Sequence, residues 1–394
     1  MRLPEVRDVP RAIPREDDFS SWLRSPAVTA RLGFWLGITF GLAFVTGLIS
    51  HWAQTPSPWL AFPTSPSWGY RVTQGVHVIA GTAAVPLLLV KLWTVFPKLL
   101  ARPPRDVREL VLHGLERVSI AVLVAAAIFQ LVTGLANAAQ WYPWQFNFRP
   151  THYALGWIAI GALGVHIAVK LPIIRTALAS DVDSTAQDRA GTAAGPGVMS
   201  RRGLLRTTWA AAGVAVLATA GATVPWLRTV SVLGVRSGTG PQGVPINHTA
   251  AYRGVVAAAT RATYRLTVVN GDREAKFSLA DLRAMPQTTA SLPIACVEGW
   301  SAGATWTGVP VRHLLELVDA PAGSEVLVES LQEHGGERVS TLPGNFSDHP
   351  HTLLALDLEG EPLSIDHGFP CRLIAPDRPG VLQTKWVGRL EVTT

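Results

Sequence analysis

VTGLISHWAQ, residues 45–54, closes one long apolar run, and VTGLANAAQ, residues 132–140, closes another. The downstream segments match as well: GVHVIAG (75–81) with THYALGW (151–157), then LVKLW (89–93) with AVKLP (168–172). A helical hairpin repeated in sequence predicts a four-helix bundle. Working outward, five segments are long and apolar enough to cross a bilayer as helices. They are Leu32–Ser50, Gln74–Phe96, Val111–Leu135, His152–Ile174 and Thr207–Trp226. After residue 235 the texture becomes that of an ordinary globular domain. The expected order is a tail (1–31), a four-span domain (32–175), a linker (176–206), an anchor span (207–227) and a globular domain (228–394).

The net charge of +6 comes from basic residues lying between apolar runs. It therefore reads as membrane orientation and not as nucleic-acid binding. The tail carries Arg2, Arg7, Arg11, Arg15 and Arg24. The second inter-helix loop carries Lys98, Arg102, Arg105 and Arg108, and the stretch before the fifth span carries Arg201, Arg202 and Arg206. The other two loops, 51–73 and 136–151, carry only Arg71 and Arg149. Lysine and arginine favour the cytoplasmic side. The N-terminus is thus expected inside a bacterial cytoplasmic membrane and the C-terminal domain outside it. Trp52, Trp59, Trp68, Trp141, Tyr142 and Trp144 crowd the outer loops, as an aromatic belt would. SRRGLLRTTW (200–209) is similar to a twin-arginine export signal; a plain positive-inside anchor is the alternative. The export reading implies both the twin-arginine and the general insertion machinery as partners. DSTAQDRAGTAAGPG (183–197) reads as a flexible linker.

His77 and His152 occupy matching places in the repeat. Facing imidazoles in a bundle ligate a haem iron from both sides, so haem b is expected there. His166 lies 14 residues after His152, roughly 21 Å along a helix and on the same face. That spacing resembles the two-haem b-type cytochromes of respiratory membranes. The match in span two falls on Lys91, which leaves His113 as the candidate partner of His166 for a second haem. Such a domain implies electron exchange with the membrane quinone pool. The alternative for each histidine is an interfacial or hydrogen-bonded residue.

From Thr263 short strands and helices alternate. YRLTVVNGD predicts a strand entering a turn, FSLADLRAMP a short capped helix, and HTLLALDLEGEPL a strand and turn. The composition is that of an α+β domain. Within it, LPIACVEGWS (292–301), WTGVPVRHLLE (306–316), LDLEGEPLSIDHGFPCRLIAPDRPG (356–380) and QTKWVGRLEV (383–392) occur in order. These blocks resemble the molybdopterin domain of the sulfite oxidase family, which also includes bacterial membrane-partnered sulfoxide reductases. The likeness runs over about residues 240–394.

The resemblance implies a molybdenum–molybdopterin cofactor with Cys296 as the thiolate ligand, and a soft thiolate suits that metal. It also implies that Asn247 and His248 contact the pterin, that His367 and Arg372 hold its phosphate and pterin, and that Gln383, Thr384 and Lys385 close over it. The implied activity is oxygen-atom transfer on a small sulfite- or sulfoxide-like molecule. Cys371 is expected to be a small core residue; a Cys296–Cys371 disulfide is the alternative. LPGNFSDHPHTLL (342–354) is where substrate contacts would fall, yet it matches neither the sulfite-binding arginines nor the active-site tyrosine of the family. The sequence ends soon after QTKWVGRLEV, so no dimerisation domain of the sulfite oxidase kind is expected. The rival from another class is a membrane-anchored binding or assembly protein with a vestigial molybdopterin fold.

Overall fold

The computed structural model describes residues 14, 16–55, 59–101, 104, 106–188, 192, 197–234, 240–335 and 338–393. Arg2, Arg7, Arg11, Arg15, Arg102 and Arg105 lie outside the described residues, as does most of the 189–196 stretch. Five helices among the described residues are long and apolar enough to cross a membrane. They are α1 (Pro26–Gln54), α2 (Gly69–Val95), α3 (Val107–Ala138), α4 (Phe148–Ala179) and α5 (Arg201–Thr219). α1, α3 and α4 run past their apolar segments at both ends, and α2 starts five residues before its segment and stops at Val95. Large apolar side chains stay exposed along them, among them Phe34, Leu89, Leu115 and Val165. In a lipid solvent that exposure carries no penalty.

The chain divides into two compact units. The first holds residues up to Leu42, Ala80–Leu135 and Trp144–Val216. Its helices pack through Val28, Leu32, Leu87 and Val182. Here the described start of the linker, up to Asp188, is tied down. Arg202 pairs with Asp181 and Asp183, and Arg201 pairs with Asp188. Arg201 is fully buried, donates to the carbonyls of Trp22 (3.1 Å) and Ser184 (2.9 Å), and lies over the Trp22 ring. A buried guanidinium demands such partners, so both arginines clasp the linker to the first turn of α5.

The second unit comprises Ala43–Ile79, Ala136–Pro143 and Leu217–Thr394. Among the described residues its C-terminal domain is built on ten strands: β1 (Leu266–Asn270), β2 (Arg273–Phe277), β3 (Thr288–Ala295), β4 (Ser301–Pro310), β5 (Glu325–Ser330), β6 (Val339–Leu342), β7 (Leu353–Leu358), β8 (Glu361–Pro362), β9 (Arg372–Ile374) and β10 (Val387–Thr393). One sheet runs β2-β1-β10-β5-β6, with β1 and β10 parallel. The other runs β3-β4-β7-β8, with β9 on β7. The expected capped helix is Leu279–Ala284, closed by a capping box of Ser278 and Asp281.

Along β7, Leu354 and Leu356 enter one core with Leu266, Val326 and Leu390, while Leu353 and Ala355 enter a second core with Cys296 and Trp306. β7 is thus buried on both faces, as its near-continuous apolar run Leu353–Leu358 requires. The end of α1, the start of α2 and the segment joining them contribute to the first of these cores. Ala53, Phe62 and Tyr70 are buried with the strand residues, and the amide of Tyr70 donates to Asp377.

Candidate active site

Cys296 sits in the five-residue turn of the β3–β4 hairpin, whose last pair is Ala295 with Ser301. The Cys296 amide donates to the Trp300 carbonyl (2.9 Å), and the Gly299 amide donates to the Cys296 carbonyl (3.0 Å). Gly299 takes φ +83°, a conformation costly for residues with a Cβ. The folded turn directs Cys296 into a pocket that it lines together with Asn247, His248, Arg253, Gln332 and Arg372. His367, Gln383, Thr384 and Lys385 line it as well. All eight residues expected from the C-terminal blocks therefore share one cavity.

The charge in this pocket is one-sided. Arg253, Arg372 and Lys385 line it, and no carboxylate does among the described residues. Burial pulls Arg372 down to about 9. Burial, then the neighbouring Arg372, pull Lys385 down to about 7. Burial pulls His367 down to about 4. Lys385 Nζ donates to the carbonyls of His248 (2.8 Å) and Asp366 (2.9 Å). His367 Nε2 donates to the Pro241 carbonyl (2.8 Å). Arg372 donates through its two terminal nitrogens to His367 (3.1 Å) and Gln383 (3.2 Å) carbonyls. Arg372 Nε, Gln332 Nε2 and Gln383 Oε1 are buried without a hydrogen-bond partner among the described residues. Converging cations with orphaned donors and an orphaned acceptor fit a phosphorylated heterocycle such as a pterin.

Cys371 stands in a core as expected, and the reading of the 342–354 segment changes. Cys371 is not bonded to Cys296. It is fully buried in the other core, with Tyr264 Oη at 3.1 Å, and burial pushes its thiol up to about 12. It is a packing thiol. The 342–354 segment does not line the pocket; it forms the short helix Gly344–Ser347, and Asn345 donates to the Phe62 carbonyl (2.8 Å). Arg253 and Gln332 line the pocket instead. Neither stands in a recognisable motif, because each enters from a loop whose placement depends on the packed domain.

In the membrane half, each unit holds one of the matched histidines. His77 Nδ1 donates to the Ala43 carbonyl (2.8 Å), with Thr46 Oγ1 at 3.2 Å. His152 Nδ1 lies 3.2 Å from Thr133 Oγ1, whose proton goes to the Phe129 carbonyl (2.6 Å). A Cβ on Gly47 would lie 3.3 Å from His77 Cε1, and one on Gly134 3.7 Å from His152 Cε1. The Thr-Gly of the repeated VTGL therefore orients a histidine in both halves. Nδ1 carries the proton in each, so Nε2 holds the lone pair that a metal takes. This donor chemistry fits haem. His113 differs: its Nε2 accepts from Arg117 Nε (2.7 Å). A metal at that nitrogen would have to break this bond. One turn beyond His166, Lys170 pairs with Glu116.

Residues 253–394 match the oxidoreductase molybdopterin binding domain. A protein named as a protein-methionine-sulfoxide reductase subunit, YedZ1, of Azospira oryzae is 32% identical over 134 residues, 34% of this chain and 50% of its own. Mitochondrial sulfite oxidase of Mus musculus is 31% identical over 160 residues, 33% of this chain and 29% of its own. The crystal structure of the sulfane dehydrogenase SoxCD from Paracoccus pantotrophus is 26% identical over 33% of this chain and 38% of its own, with a TM-score of 0.30. The chain thus spans half or less of the length of these relatives. The class that fold, pocket and matches define for the C-terminal domain is a molybdopterin-binding oxidoreductase domain, with relatives named for sulfite and sulfoxide chemistry.

Proposed function

We propose that the chain is a membrane-bound oxidoreductase acting outside the bacterial cytoplasmic membrane. Its substrate is a small sulfite- or sulfoxide-like molecule, and its electrons are exchanged with the quinone pool through haem b. The observation that carries the reading is the pocket in which Cys296 stands among Arg253, Arg372 and Lys385 with no lining carboxylate among the described residues. Molybdenum–molybdopterin bound there supplies two-electron oxygen-atom transfer. Cys296 provides its thiolate; Arg372 and Lys385 hold phosphate through charge-assisted hydrogen bonds; Asn247, His248 and Gln383 meet the pterin edge. Lys385 stays protonated beside a bound phosphate and keeps the pocket neutral. His367, held by Pro241, stays an unprotonated imidazole. Trp300 and Trp386 wall the cavity and limit water.

His77 and His152 are the proposed haem ligands, and the matched Nδ1 hydrogen bonds support this assignment. The proposal stops at one haem, because Arg117 already engages His113. The test is metal and haem analysis of purified protein with a screen of sulfite and sulfoxides in a dye-coupled assay. Molybdenum, a redox-active haem band and turnover of one substrate are expected. A chain with none of the three is a binding or assembly protein.

A further inference from the structure

The outward-facing groups of the Cys296 turn are held one after another by other segments of the same unit. The Val297 carbonyl accepts from Asn137 Nδ2 (3.0 Å), whose own Oδ1 accepts from Tyr142 (3.0 Å). Glu298 accepts from Gln140 and from Trp300 Nε1. The Gly299 carbonyl accepts from the Thr223 hydroxyl. A Cβ on Gly299 would lie 2.9 Å from Val78 Cγ2. A hairpin turn that only shaped a pocket would need bonds within its own domain. This one is gripped by the end of α3, by the segment after α5 and by α2, at the residue next to His77.

We propose that this turn is the electron crossing between the C-terminal domain and the spans, with Gly299 and Val78 as its positioning residues. The proposal rests on the reading of Cys296 as a metal thiolate and His77 as a haem ligand. The route runs from Cys296 through its carbonyl to the Gly299 amide, across the Gly299–Val78 contact, and along one peptide unit to His77. Glycine is required twice: for the positive φ, and because any side chain would push Val78 away. Oxidation of a substrate by a water oxygen releases two electrons and two protons. The electrons cross singly, and a quinone takes up two electrons and two protons; in the reductive direction a quinol is the donor.

The test uses the full-length holoprotein in membranes. Val78→Ala opens the contact without disturbing the strained glycine. It should keep the haem difference band and dye-coupled turnover, and lose most of the rate at which substrate changes the haem absorbance. An unchanged substrate-to-haem rate in Val78→Ala overturns the crossing while leaving the cofactor assignments intact. A wild-type chain without the haem band or without dye-coupled turnover overturns the underlying reading, and the crossing with it.

Discussion

At the residue scale the two cysteines separate by environment. Cys296 is presented by a hairpin turn beside buried cations, and Cys371 is sealed in an apolar core. Cys296→Ser should fold at a cost of about 1–2 kcal/mol and lose turnover, since serine is a harder and far less acidic ligand. Cys371→Ser should stay active, its hydroxyl within reach of Tyr264 and the Val387 carbonyl. Dye-coupled turnover and molybdenum content of both variants check this; equal loss in the two would refute the assignment. Lys385 yields a pH prediction. Its pKa is lowered to about 7 in the ligand-free pocket, and a bound anion would raise it. Anion affinity should therefore be full below pH 7 and fall as pH rises through it, as the lysine loses its charge. Phosphate titrations of cofactor-free protein should show that slope in the wild type. Lys385→Met should flatten it; a slope unchanged in that variant would assign it elsewhere.

At the element scale the repeated hairpin is a device for orienting imidazoles. Thr46 and Thr133 fix the ring, and Gly47 and Gly134 let the helices approach it. Replacing His77 or His152 with Ala should remove the reduced-minus-oxidised haem band from membranes. Thr46→Val and Thr133→Val should keep the band but weaken haem retention by roughly 10–100-fold, the usual cost of losing a partner that orients a ligand. A full spectrum in both histidine variants would rule the ligands out. The repeat was readable in sequence, including the histidines. The roles of threonine and glycine were not, because contacts between helices appear only after packing.

At the scale of the whole molecule, the α1–α2 connection with its flanking turns and the end of α3 share a unit with the C-terminal domain. Arg201 and Arg202 have a further role open to them. Before folding they can be read as an export signal; afterwards they clasp the linker. Changing both to Lys should leave the first four spans inserted and trap the C-terminal domain inside. Protease digestion of spheroplasts reads the outcome. A domain still cleaved from outside, with only reduced thermal stability, would leave the clasp as their sole role.

Length and apolar content alone located the five long apolar helices, because a long apolar run satisfies its backbone polar groups only as a helix, whatever surrounds it. Local rules likewise determined the capped helix, and the ordered blocks fixed which residues gather around Cys296. Tertiary structure decided the rest. It placed Arg253 and Gln332 in the pocket, turned the twin arginines into a clasp, drew the 342–354 segment away from the site, and set Gly299 against Val78. Each of these depends on the meeting of segments distant in sequence, which no local pattern of residues encodes.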